Sequence, residues 1–176
     1  MKTALKYFIF LFIPFLSSCW EDHYDNIPEN KKPELTNNDT LVFMDSLTNT
    51  VDTFQISFRN YYEMSDSKYY SEIIDLHYIC TNHIKVISGF WIRQHFKAAF
   101  VHNHTKTYDP IYFEENKPKP AQQDLLVRGV MYPNIYVLNQ YRFETDTLPK
   151  TVYYSLKHGI IRYDYADGRK YELVSK

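Results

Sequence analysis

Glycine and cysteine are scarce in this chain, with four glycines and two cysteines in 176 residues. So few glycines leave little room for a phosphate-cradling loop, a dinucleotide fingerprint or a Gly-x-Ser-x-Gly elbow, and the sequence contains none of them. Paired metal-binding cysteines and the His-Glu-x-x-His pattern are missing too. No spacing of Asp and Glu singles out two carboxylates as a catalytic pair. Charge of one sign is also lacking. A formal net charge of −1 gives no reason to expect nucleic acid as a partner. Long hydrophobic runs are absent as well: Tyr7 to Leu16 covers ten residues, about 15 Å as a helix and half of a hydrocarbon core.

Aromatic residues are abundant, with 17 Tyr, 12 Phe and 2 Trp making up 18% of the chain. That density favours pleated, half-buried strands over the faces of a helical bundle. The N-terminus has a different purpose. Met1 to Lys6 is a short basic segment, the ten-residue apolar run follows, and Leu16-Ser17-Ser18-Cys19 comes next. Basic flank and short apolar core match a secretory signal peptide. The tetrapeptide resembles the bacterial lipobox, so the resemblance implies cleavage before Cys19, a diacylglycerol thioether on its sulfur and an acyl chain on its amino group. Two or more chains hold a protein on a bilayer far longer than one. Glu21 and Asp22 just beyond resemble the acidic signal of surface-exported lipoproteins of Bacteroidota. An outer-membrane anchor is therefore expected, with display at the surface favoured over a periplasm-facing position. A lipidated Cys19 leaves Cys80 without a disulfide partner, and the exported domain must be stable from its own core.

Three regions follow from this reading: a signal peptide over 1–18, a lipidated N-terminus and flexible tether over 19–40, and an all-β domain over 41–176. The polar stretch with Pro28 and Pro33 shows no sustained period, and such a tether would hold the domain some tens of ångströms off the membrane. Beyond Leu41 the pattern predicts strand after strand. Val51 to Phe58 alternates cleanly, Arg59 to Ser67 is polar with room for a helical turn, and Ile73 to Cys80 alternates again. Leu125–Tyr132 and Ile135–Phe143 flank Pro133-Asn134, a turn or bulge signal, and Asp167-Gly168 marks a hairpin. About ten strands are expected, in an antiparallel sandwich or barrel. The segments Gly129–Val137 and Val152–Asp164 resemble the closing part of small uncharacterised lipoproteins of Bacteroidota, which implies compartment and fold but no chemistry.

Several residues qualify as site candidates. His102 and His104 would share a face of a strand, but they lie in a polar turn without the further ligands that zinc needs. Cys80, with His77 and His83 nearby, is a weak nucleophile candidate, because it ends an apolar face. Adjacent aromatics, among them Tyr61-Tyr62, Tyr69-Tyr70, Phe90-Trp91, Tyr112-Phe113 and Tyr153-Tyr154, should each place one ring in the core and one outside. Trp91, Tyr112 and Tyr154 are the ring candidates for a ligand. Thr40, Ser46 and Thr147 stand in Asp-Ser/Thr-apolar tripeptides that resemble O-glycosylation acceptors of exported Bacteroidota proteins. The expectation is a non-catalytic binding or scaffolding domain that uses no cofactor. Its partners would be the membrane, through Cys19, and an envelope protein or a glycan. The alternatives are a lipocalin-like barrel around a small apolar ligand, and a hydrolase or metal-dependent enzyme if His77, Cys80, His102 and His104 converge.

Overall fold

The computed structural model describes residues 22–66, 68–80, 86–93, 97–102, 105–106, 111–112, 120–140 and 149–176, with side chains described over 22–64, 68–79, 120–140 and 149–176. Thirteen strands occur among the described residues, and the regular structure is otherwise one 3₁₀ turn at Glu29–Lys31. The strands are β1 (His23–Asp25), β2 (Thr40–Asp45), β3 (Val51–Asp66), β4 (Tyr69–Cys80), β5 (Val86–Arg93), β6 (Lys97–His102) and β7 (Thr105–Lys106). After these come β8 (Ile111–Tyr112), β9 (Gln122–Val127), β10 (Val130–Asn139), β11 (Thr151–Ser155), β12 (Gly159–Asp164) and β13 (Lys170–Ser175). No helix among the described residues is long and apolar enough to cross a membrane.

The sheet runs β7-β6-β5-β4-β3-β2-β13-β12-β11-β10-β9, with β8 beside β6 and β1 beside β4. Every pairing is antiparallel except β1 with β4. Two meanders thus meet where the C-terminal strand pairs with β2, Leu173 opposite Phe43. The sheet does not close into a barrel. It folds over itself in a sandwich-like arrangement: Tyr78 on β4 packs against Tyr154 on β11 and Gly159 on β12, although three strands separate β4 from β12 in the sheet order. Burial raises the pKa of both phenols, since neither can ionise without water.

The period of two accounts for the core. Leu41 and Phe43, Phe54 and Ile56, Ile74, Leu76 and Tyr78 all turn inward at alternate positions, as do Val152 and Tyr154. Tyr163 stacks on Tyr171 with ring centroids 5.0 Å apart and meets Phe43 at 5.1 Å. Its hydroxyl donates to Asp52 Oδ2 at 2.8 Å, giving a fully buried ring an acceptor for its proton.

Three sequence expectations change. Arg59–Asp66 holds no helical turn; β3 continues through it, because β4 pairs with it residue for residue from Phe54↔Cys80 to Met64↔Tyr70. The β9–β10 hairpin turns at Arg128-Gly129, both at positive φ, whereas Pro133-Asn134 is the bulge that shifts register between Tyr132 and Ile135. The described part of the tether, 22–40, is packed against the domain. Ile27 and Leu35 are each 2% exposed and belong to the core, and Pro33 is buried. Glu34 N donates to Lys157 O at 2.7 Å and Asn38 N to Ile56 O at 2.8 Å. Single apolar residues eight positions apart carry no period, yet each fills a hole in the domain.

Candidate functional site

Toward the end where β3 turns into β4, the two strands run on past their pairing with β2, which ends at Gln55, and with β5, which ends at Ile73. Tyr61, Tyr62, Met64 and Tyr69 sit within about 17 Å of the last pair, Asp66↔Tyr69, along the strands and are 44%, 46%, 58% and 50% exposed. β1 lies along the same end, pairing His23↔Tyr69 and Tyr24↔Tyr70. Tyr24 is 54% exposed, stacks on Tyr70 at 5.0 Å and meets Tyr62 edge-on at 5.3 Å. His23 stacks on Tyr69 at 5.1 Å. The Tyr62 hydroxyl donates to Asn26 Oδ1, which ties this ring to the chain following β1. The result is a wedge with rings on both faces of a short three-stranded end, β3-β4-β1. Consecutive Tyr61 and Tyr62 are both exposed, at 44% and 46%, contrary to the expected one-in, one-out arrangement.

Behind the wedge a buried carboxylate fixes the N-terminal segment. Glu72 is 2% exposed and receives Ile27 N at 2.7 Å, Asn60 Nδ2 at 2.7 Å and the Lys32 ammonium at 3.0 Å. Burial pushes its pKa up, but the hydrogen bonds from Asn60, Lys32 and the Ile27 amide outweigh that and hold the carboxyl below its ordinary value. The Lys32 pKa is raised, through its hydrogen bonds to Glu29 and then to Glu72. A buried ion pair of this kind fixes geometry more than it adds stability.

On the ribbon flank, His77 Nε2 lies 2.9 Å from Asp75 Oδ2, beside a shallow groove formed by Phe58, Arg59, Asn60, Tyr61 and Asp75. Asp75 can orient the imidazole, and Ser57 stands opposite His77 across the β3–β4 ladder. Among the described residues, no nucleophile is hydrogen-bonded to this imidazole, and no three His, Cys, Asp or Glu side chains gather as a metal site.

The sequence candidates fall elsewhere. Tyr154 is fully buried, so it cannot be an exposed stacking ring; its neighbour Tyr153 is partly buried, with Arg162 4.9 Å above its ring. Trp91 lies in β5, Tyr112 in β8 and His102 in β6, opposite Asp75, Lys97 and Thr105 respectively, but their side chains lie outside the described part, as does that of Cys80 at the end of β4. Cys19, His83, His104 and Thr147 lie outside the described residues. Thr40 and Ser46 are exposed, Ser46 in the β2–β3 loop held by the buried Asp45 carboxylate. Sequence reasoning named Tyr61-Tyr62 and Tyr69-Tyr70 as pairs but did not bring them together, and Tyr24 was hidden in a presumed tether. Comparison of the chain with protein-family models, curated proteins and solved structures finds no match.

Proposed function

We propose that this protein is a lipid-anchored lipoprotein of the cell envelope whose β-domain binds or scaffolds a partner without catalysing a reaction. The observation that carries the reading is the ordered coincidence of basic flank, ten-residue apolar run and Leu16-Ser17-Ser18-Cys19. The exposed aromatic wedge supports a binding role, since clustered, rimmed aromatic patches commonly meet another surface. Among the described residues the interior is filled by Phe43, Phe54, Tyr78, Tyr154 and Tyr163, which disfavours a lipocalin-like carrier with an internal ligand.

The experiment is Cys19→Ala in cells labelled with radioactive fatty acid. Wild type should take up label and be processed by the lipoprotein-specific peptidase; the variant should do neither. Label retained by the variant overturns the anchor. Protease treatment of intact cells then reports the face, with cleavage expected for surface display. Capture from envelope extracts with the anchor intact identifies the partner, either an envelope protein or a glycan.

A further inference from the structure

We infer that the aromatic wedge at the β3–β4 tip is a membrane-seating surface, resting in the headgroup region of the bilayer that holds the lipid on Cys19. The inference rests on the anchor reading and adds the orientation of the domain.

Three observations lead to it. The first is chain length. Cys19 precedes His23 by four residues, and four extended residues reach at most about 14 Å. Because β1 is paired and Ile27 is locked to Glu72, chain beyond His23 cannot be paid out to lift the domain. A long tether would leave the orientation free; this short one does not. The second is direction. β1 runs parallel to β4 and begins level with Tyr69, the first residue of β4, so the chain enters the domain at the ribbon tip. The anchor and the wedge therefore share one end of the molecule. The third is chemistry. Tyr24, Tyr61, Tyr62 and Tyr69 each combine an exposed apolar ring with a hydroxyl, the composition suited to the boundary between acyl chains and water, and Met64 adds an apolar contact between them. A second exposed patch, Leu126, Val130 and Met131 at the β9–β10 hairpin, has no tyrosine and no tie to the anchor, and it serves as a control.

Met64 and Met131 are each 58% exposed, so an uncovered domain should oxidise at both at similar rates. The acylated protein would be purified whole and reconstituted into phosphatidylethanolamine–phosphatidylglycerol vesicles. It would then be treated with chloramine-T, a charged oxidant that stays in water, and peptide masses would give the sulfoxide fraction at each methionine. Seating in the headgroups predicts Met64 oxidising about tenfold more slowly than Met131. A variant with Tyr61→Glu and Tyr69→Glu should bring the two rates together while leaving the unfolding midpoint within a few degrees of wild type. Equal rates in the wild-type protein, with intact mass showing diacylglycerol on Cys19, overturn the seating and leave the anchor standing. A mature mass without lipid overturns both. If Met64 is reactive in vesicles but protected in intact cells, a protein partner covers the wedge and the membrane assignment is wrong.

Discussion

Tyrosine serves opposite ends in two regions of this molecule. In the sandwich, Tyr78, Tyr154 and Tyr163 are fully buried, and Tyr163 has a buried carboxylate for its hydroxyl. At the ribbon tip, Tyr24, Tyr61, Tyr62 and Tyr69 are about half exposed, with Tyr24 edge-on to Tyr62 and Tyr69 stacked on His23. The residue type is the same, but one set lies inside the sandwich and the other at the end of the β3-β4-β1 strands. Aromatic content alone therefore says nothing about role; what decides is how completely the neighbouring chain covers each ring.

Removing one ring from each region gives the largest contrast. Tyr163→Ala deletes contacts to Phe43, Phe54 and Tyr171 and leaves the buried Asp52 carboxylate without its donor, so a loss of about 4 kcal/mol is expected by urea unfolding. Tyr163→Phe keeps the ring and loses the hydrogen bond, and should cost about 2 kcal/mol. If Tyr62→Ala at the tip destabilises as much as Tyr163→Ala, the division between the regions is false.

Gly159 tests whether the N-terminal segment belongs to the core. It sits at φ +80°, and an added Cβ would meet Leu35 Cδ1 at 2.7 Å and the Tyr78 hydroxyl at 2.8 Å. Gly159→Ala should cost about 3 kcal/mol, from a strained backbone plus displaced core groups. Gly168→Ala, at φ +93° with nothing within 4 Å, should cost only about 1 kcal/mol. Equal costs in thermal melts would mean that Leu35 is not seated.

Glu72 is where the regions join, and Glu72→Gln should cost about 2 kcal/mol through the lost charge-assisted bonds. Its folded pKa lies below the ordinary carboxylate value of 4.5, so the stabilisation is complete above 4.5 and fades as pH falls through the lowered folded value. Hydrogen-exchange protection of the Ile27 amide should therefore hold near neutral pH and drop in acid for wild type, and be low throughout for Glu72→Gln.

Much of the sheet was legible because strands announce themselves by period. Val51 to Phe58 and Ile73 to Cys80 alternate, and the structure pairs them in register from Phe54↔Cys80 onward. Thr40 to Asp45 and the two closing hairpins also lie where apolar runs and turn residues put them. What the sequence hid depends on partners distant along the chain. Ile27 and Leu35 have no periodic neighbours, and their burial comes from Glu72, Gly159 and Tyr78, which are remote in sequence. The wedge was obscured for the same reason: Tyr24 reaches Tyr62 and Tyr70 only because β1 adds to the edge of β4. Arg128-Gly129 was passed over because an arginine at positive φ is an uncommon turn residue, whereas Pro133-Asn134 advertises a break that proved to be a bulge.

The smallest expected effect on stability carries the most functional weight. Tyr61→Ser removes a ring that is 44% exposed at a ribbon tip, and its cost should stay within about 0.5 kcal/mol. Tyr69→Ser removes the ring on which His23 stacks and should cost little more, since that contact is itself solvent-washed. Evolution has little stability reason to keep bulky rings there. If the rings are kept for the bilayer, the double variant should melt like wild type yet leave the domain tilting freely on its anchor. Fluorescence polarisation of a dye on the acylated protein in vesicles would register that tilting as a lower limiting anisotropy. An unchanged anisotropy with an unchanged melt would mean that the tip tyrosines neither stabilise the fold nor orient it, and the contrast with Tyr163 would then concern only the core.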